Sequence, residues 1–142
     1  MISQTHLHPI MVHFPIALIT VGFLFDLIAM VYKKEPCLSK AGFWLEILGM
    51  AGVVVAFGTG YFFTSEMEGE AGIIREKHEL FATITLISIV VATFFRIIAN
   101  YLNKKNIAIS WLSLGLYFIS MVMVSVTGYL GGSLVIDFMI GL

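Results

Sequence analysis

The sequence predicts an all-α integral membrane protein built as a bundle of four transmembrane helices. Of its 142 residues, 59% are apolar and only 12% are charged, and the mean hydropathy is +0.98. Soluble domains are usually about 45–50% apolar. Four apolar stretches are also long enough to cross a hydrocarbon core about 30 Å thick, which needs roughly 20 helical residues. We therefore expect one transmembrane domain over residues 1–142.

The four helices follow from the positions of these apolar stretches. We predict helices at about residues 10–31, 43–63, 80–101 and 107–130. Polar connections separate them at about residues 33–36, 65–78 and 103–106. Strands are not expected, because open strands would leave backbone groups without partners in lipid. The apolar tail over residues 133–142 is too short to span, so we expect a cap or a surface-lying segment there.

The lysines and arginines of the connections predict how the bundle is oriented. The first and third connections contain Lys33, Lys34, Lys40, Lys104 and Lys105, and the middle connection contains only Arg75 and Lys77. Cytoplasmic loops of membrane proteins carry an excess of Lys and Arg. The first and third connections are therefore expected in the cytoplasm, with the middle connection and both termini on the outer side.

Three of the four histidines are predicted to meet near the outer surface. His8 precedes the first helix, His13 lies about one turn inside it, and His78 opens the third helix, while His6 can approach from the terminus. Histidine is rare inside membranes and usually faces the bundle interior or a water-filled cavity. His8 and His13 lie roughly 140° apart around a helix of 3.6 residues per turn, so we expect two separate roles for them.

Haem b is the cofactor that we expect at these histidines. We predict His13 and His78 as axial ligands of the iron, with His8 as a supporting group or an alternative ligand. Arg75 and Lys77 would lie at the outer surface, where haem propionates emerge. Phe14, Phe81 and Tyr129 are candidate walls of the haem site, and glycines such as Gly132 would leave room for a flat cofactor.

Two alternatives to haem remain open. A copper or zinc site could use His6, His8 and His78 with Glu76 or Glu79, and Met11 near His13 is a candidate soft ligand for copper. Without any cofactor, the histidines would hydrogen-bond to neighbouring helices, and the protein would be a non-enzymatic scaffold or assembly subunit. Nucleic acid is not an expected partner, because a net charge of −1 gives no basic surface.

A second polar group is predicted at the inner end of the bundle. Asp26, Glu46 and Arg96 fall near the same cytoplasmic level. An unpaired charge at this depth costs about 3 kcal/mol, so we expect a structural ion pair of Arg96 with Asp26 or Glu46, with a proton or ion route as the alternative. Small residues in Gly52-x-x-x-Ala56 and Gly128-x-x-x-Gly132 indicate close helix contacts.

Several motifs resemble one bacterial family. The segment His8-Pro9-Ile10-Met11-Val12-His13-Phe14-Pro15-Ile16-Ala17-Leu18, the lone His78, and Gly128-Tyr129-Leu130-Gly131-Gly132-Ser133-Leu134-Val135 are similar to landmarks of domain of unknown function 2231. The resemblance implies a four-helix membrane protein of bacteria, found joined to or encoded near cytochrome-like and redox modules. The positions that match the family motifs are His8, His13, Asp26, His78, Gly131 and Gly132. Val135-Ile136-Asp137 replaces a Val-Tyr pair that the family often has.

The sequence and the resemblance together favour one function. We expect a haem b protein that transfers electrons at the periplasmic side of the bacterial inner membrane. It would act as a subunit or partner of a redox complex rather than as a stand-alone enzyme. Besides the lipid bilayer, the expected partners are a cytochrome or other redox protein, or a second copy of the chain.

Overall fold

The helical architecture is seen in a computed structural model, which describes residues 7–32, 36–64, 67–101 and 107–138. The helices in these ranges are α1 (Leu7–Met11), α2 (His13–Val31), α3 (Pro36–Phe63), α4 (Gly69–Tyr101) and α5 (Ile107–Phe138). Four segments of the described chain are long and apolar enough to cross a membrane, and α1 is counted with α2 in the first of them. The predicted all-α four-helix bundle is confirmed.

The bundle consists of two antiparallel hairpins. In the first hairpin α2 packs extensively against α3, and α1 lies against α3 as well. In the second hairpin α4 packs even more extensively against α5. Smaller contacts of α2 with α5, and of α3 with α4, join the two hairpins into a closed ring of four helices. We call the end of the bundle with His8 and His78 the histidine end, and the opposite end the arginine end.

Glycines bring helices close together both within the first hairpin and between the hairpins. A Cβ atom added at Gly52 would lie 3.3 Å from the Cβ atom of Pro15, and one added at Gly128 would lie 2.8 Å from Cδ1 of Ile16. Helices in lipid associate largely through such close packing, because lipid is as apolar as their side chains. A Cβ atom at Gly132 would meet nothing within 4 Å, so Gly132 has no comparable contact.

Hydroxyl groups hold the second hairpin together. Ser120 Oγ donates a hydrogen bond of 2.8 Å to Ser88 Oγ, and Ser113 Oγ donates one of 2.9 Å to the carbonyl oxygen of Ala92. All three serines are buried. Around these hydrogen bonds lies the apolar core, which contains Ile19, Phe23, Val53, Ile89, Ala92, Tyr117 and Val124.

The helices extend further than the apolar stretches predicted. α3 begins at Pro36 where residue 43 was predicted, and α4 begins at Gly69 where residue 80 was predicted. α5 ends at Phe138 where residue 130 was predicted. Residues 133–138, where we expected a cap or a surface-lying segment, continue α5, and residues 139–142 lie outside the described chain. Hydropathy marks the residues that lipid covers, whereas backbone hydrogen bonds continue a helix into water. Glu70 in the first turn of α4 favours this extension, because acidic groups stabilise helix N-termini.

Candidate functional site

The first turns of the first spanning segment position His8. Pro15 lacks the backbone N–H that would bond to the carbonyl of residue 11, which weakens the helix at this point. Only Val12 separates α1 from α2, and it keeps helical backbone angles and an N–H bond of 3.2 Å to the carbonyl oxygen of His8. The short α1 packs against α3, and this places His8 beside the last turns of α3.

The hydrogen bonds of His8 define its tautomer. Nδ1 of His8 lies 3.1 Å from Oγ1 of Thr59, and this hydroxyl donates its own hydrogen to the carbonyl oxygen of Ala56 at 2.9 Å. A hydroxyl has a single hydrogen to donate, and with that hydrogen directed to Ala56, Thr59 accepts a hydrogen from His8. Nδ1 therefore carries the hydrogen, and in the neutral ring Nε2 keeps its lone pair.

His78 on α4 has the same tautomer. Its Nδ1 lies 3.0 Å from the carbonyl oxygen of Thr127 on α5. A carbonyl oxygen can only accept, so Nδ1 of His78 is the donor and Nε2 again keeps the lone pair. A hydrogen bond from Nδ1–H to a carbonyl is the usual way in which a metal-binding histidine is oriented.

The rings of His8 and His78 face each other across the two hairpins. Their centroids are 6.0 Å apart and their planes are nearly perpendicular, at 87°. Glycines provide the space for both rings, because an added Cβ atom would lie 3.0 Å from Cε1 of His8 at Gly60 and 3.1 Å from Cε1 of His78 at Gly131. Gly131, one of the positions that match the family motifs, thus packs against His78 itself.

His13 lies outside this pair. Its side chain is exposed, and its Nδ1 donates to the carbonyl oxygen of Pro9 at 2.7 Å. The structure therefore brings His8 beside His78, and it does not place His13, the ligand partner expected from the sequence, in this pair. His8 and His13 lie roughly 140° apart around the helix, so the face that packs His8 against α3 leaves His13 on the outside of the bundle. His6 lies outside the described residues.

The other residues predicted to contact a cofactor are exposed or half-buried. Phe14 and Tyr129 are 62% and 75% exposed, so they do not wall the two imidazoles. Phe81 and Arg75 are half-buried, and the side chain of Lys77 is exposed. The carboxylates considered for a metal, Glu76 and Glu79, are exposed as well, and Met11 lines an apolar groove of about 420 Å³ together with Phe14.

The described residues contain no group of three or more His, Cys, Asp or Glu side chains that could hold a metal ion. A metal at the histidine end would therefore have His8 and His78 as its ligands from this part of the chain. Thr59, Gly60 and Thr127 were missed by the sequence analysis. A signal was available for the first two, since an antiparallel α2–α3 pairing places them opposite His8.

The arginine end contains the three charged residues that the sequence placed at one level. Nη2 of Arg96 donates to Oδ1 of Asp26 at 2.6 Å, and Nη1 bonds to Oδ2, which makes the pair bidentate. Nη1 also lies 3.4 Å from Oε2 of Glu46. An added Cβ atom at Gly42 would collide with the carboxylate of Asp26, so this glycine makes room for the ion pair.

Comparison with known proteins matches residues 4–142 to the family described as "Predicted membrane protein (DUF2231)". No curated protein and no solved structure matches the chain. The match covers both ends of the bundle, and the description of the family names the membrane without an activity.

Proposed function

This chain belongs to the DUF2231 family of predicted membrane proteins, and we propose that it is a multi-pass protein of the bacterial inner membrane that binds haem b. In this proposal it transfers electrons at the periplasmic side. The main support is the geometry of His8 and His78. Two imidazoles that share one metal through Nε2 have ring centres roughly 6 Å apart, because each metal–nitrogen bond is about 2 Å long and the nitrogen lies about 1 Å from the ring centre. The centroids of His8 and His78 are 6.0 Å apart.

The surrounding residues suit axial ligation. Thr59 and the carbonyl of Thr127 fix both Nδ1–H groups, so each ring presents Nε2 as its available ligand atom. Arg75 lies three residues before His78 on α4 and interacts with it electrostatically, so it can offer a guanidinium to a haem propionate. Bound haem would supply a one-electron redox couple. The protein residues would hold and orient it and exclude part of the solvent.

The orientation and the partners belong to the same proposal. The lysine distribution favours a periplasmic histidine end, although Lys33, Lys34, Lys104 and Lys105 lie outside the described residues. Large apolar side chains are exposed around the bundle, and Tyr129 lies on the same end of α5 as Thr127. These surfaces face lipid, and they offer a docking area for a cytochrome, another redox subunit or a second copy of the chain.

The absorption spectrum of the purified protein tests haem binding. Protein prepared in mild detergent with haem supplied is expected to show a Soret band, which His8→Ala and His78→Ala should abolish or convert to a high-spin form. His13→Ala is the matched control, because His13 is exposed and its hydrogen bond goes to Pro9 of the neighbouring α1. A wild-type protein without a Soret band after reconstitution refutes the proposal. Unchanged spectra in both variants would reject these ligands.

A copper or zinc ion bound directly by His8 and His78 is the second candidate. The exposure of Phe14 and Tyr129 favours it, because a bare ion needs no aromatic wall, and imidazole suits both metals. Metal analysis of colourless protein would identify it. If neither haem nor metal is found, and His8→Ala and His78→Ala lower only thermal stability, the two imidazoles serve to hydrogen-bond neighbouring helices and the chain is a scaffold subunit.

A further inference from the structure

A buried polar cluster at the arginine end takes one residue from each spanning helix. Asp26 on α2, Glu46 on α3, Arg96 on α4 and Tyr117 on α5 form it, and we call these four residues the inner cluster. Glu46 and Tyr117 are both 0% exposed. Carboxyl groups this deep in a membrane protein are rare and are commonly functional.

The charges of the inner cluster do not balance when both acids are ionised. Asp26 accepts one hydrogen from each terminal nitrogen of the Arg96 guanidinium, and Nη2 of Arg96 donates its other hydrogen to the carbonyl oxygen of Ser39. Glu46 Oε2 lies 3.4 Å from Nη1, longer than the roughly 2.7–2.9 Å of a charge-assisted hydrogen bond. An ionised Glu46 would leave one net negative charge in a low-dielectric interior, which is strongly unfavourable.

Besides the Arg96 guanidinium, two neutral hydroxyl groups lie near Glu46. Tyr117 and Thr93 both interact with Glu46, and the hydroxyls of both are buried. Neither of these hydroxyls, and neither carboxyl oxygen of Glu46, has a hydrogen-bond partner by distance and angle within the described chain. A protonated carboxyl can donate to one hydroxyl and accept from another, whereas a carboxylate can only accept.

We propose that Glu46 is a membrane-buried proton-binding site of this protein. Glu46 holds its proton while Asp26 is paired with Arg96, and it releases the proton when Arg96 turns from Asp26 to Glu46. On release the O–H bond of the Glu46 carboxyl breaks and its proton passes to water, while Asp26 takes up a proton from water, so the cluster keeps one ion pair and one protonated carboxyl in both states. Exchange takes place at the arginine end, because the side chain of Arg96 is 16% exposed and that of Glu46 is 0% exposed.

Infrared spectroscopy of the wild-type protein at neutral pH tests the proposal directly. A protonated carboxyl has a C=O stretching band that is separate from the carboxylate bands and that shifts in D2O. We expect this band in the wild type and its complete loss in Glu46→Gln, which nearly preserves the shape of the side chain. Glu79→Gln, at an exposed position on α4, is the matched control and should leave the band unchanged.

Asp26→Asn provides an independent test that keeps Glu46 in place. This variant removes the carboxylate that competes for Arg96, so Arg96 should pair with Glu46, and the band of the protonated carboxyl should disappear. This variant also tests whether Glu46 is protonated if Glu46→Gln does not fold. Absence of the band in the wild type, no shift in D2O, or persistence of the band in either variant overturns the proposal. The first of these results would identify the inner cluster as a fully ionised structural network.

Discussion

Replacing Gly22 with alanine tests how closely the helices of the first hairpin approach each other. A Cβ atom added at Gly22 would lie 2.9 Å from the Cβ atom of Leu45 on α3, and it would collide with the hydroxyl of Tyr117 on α5. The Cβ atom of Leu45 is fixed to the backbone of α3, so no change of rotamer can move it away. The added methyl group must therefore push helices apart.

The expected loss of stability follows from these distances. Apolar carbon atoms attract best at about 3.5–4.0 Å, so α2 and α3 must separate locally by roughly 1 Å. Overpacking of this kind typically costs about 1–3 kcal/mol. Alanine recovers about 0.5–1 kcal/mol relative to glycine inside a helix. We therefore expect Gly22→Ala to lower the free energy of unfolding by about 0.5–2 kcal/mol.

Unfolding in mixed micelles, titrated with a denaturing detergent, measures this free energy. Gly115→Ala is the matched control, because it makes the same change inside α5, where an added Cβ atom would meet nothing within 4 Å. The control should be as stable as the wild type or slightly more stable. If Gly22→Ala and Gly115→Ala unfold at the same detergent concentration, the close approach of α2, α3 and Tyr117 is refuted.

Two further predictions concern the histidine end and the orientation. Thr59→Val removes the hydroxyl that accepts from Nδ1 of His8, and it should weaken haem or metal binding about 10–100-fold in a titration. Thr59→Ser keeps the hydroxyl and should retain the affinity of the wild type. Equal affinities of Thr59→Val and the wild type would show that Thr59 does not orient His8. Cys37 is exposed and lies beside the first connection, so a membrane-impermeant maleimide should label it in inverted vesicles and not in intact spheroplasts. The opposite labelling would place the histidine end in the cytoplasm.

The sequence predicted the spanning helices and the charged grouping at the arginine end because both follow from the cost of placing polar groups in lipid. Four long apolar stretches leave few alternatives to four helices. Asp26, Glu46 and Arg96 fall at one depth by counting residues along helices, and the structure brings their side chains together. The position of Tyr117 beside them depends on how α5 is rotated, which residue counting does not determine.

The details of the histidine end depended on features that the sequence does not reveal. Each residue turns a helix by about 100°, so the rotation of the first spanning helix about its own axis decides whether His8 or His13 faces inward, and residue counting does not determine that rotation. Threonines inside membrane helices also commonly bond to their own backbone, as Thr20 does to the carbonyl of Ile16 at 2.7 Å. Nothing local distinguishes Thr59, which contacts a histidine from another helix.

The division of the bundle into two hairpins gives both candidate sites a common mechanical basis. His8 belongs to the first hairpin and His78 to the second, and the inner cluster likewise joins Asp26 from the first hairpin to Arg96 from the second. The contacts within each hairpin are much more extensive than those between them. A rigid rotation of one hairpin against the other would therefore change two distances together, the one between the His8 and His78 rings and the one between Asp26 and Arg96.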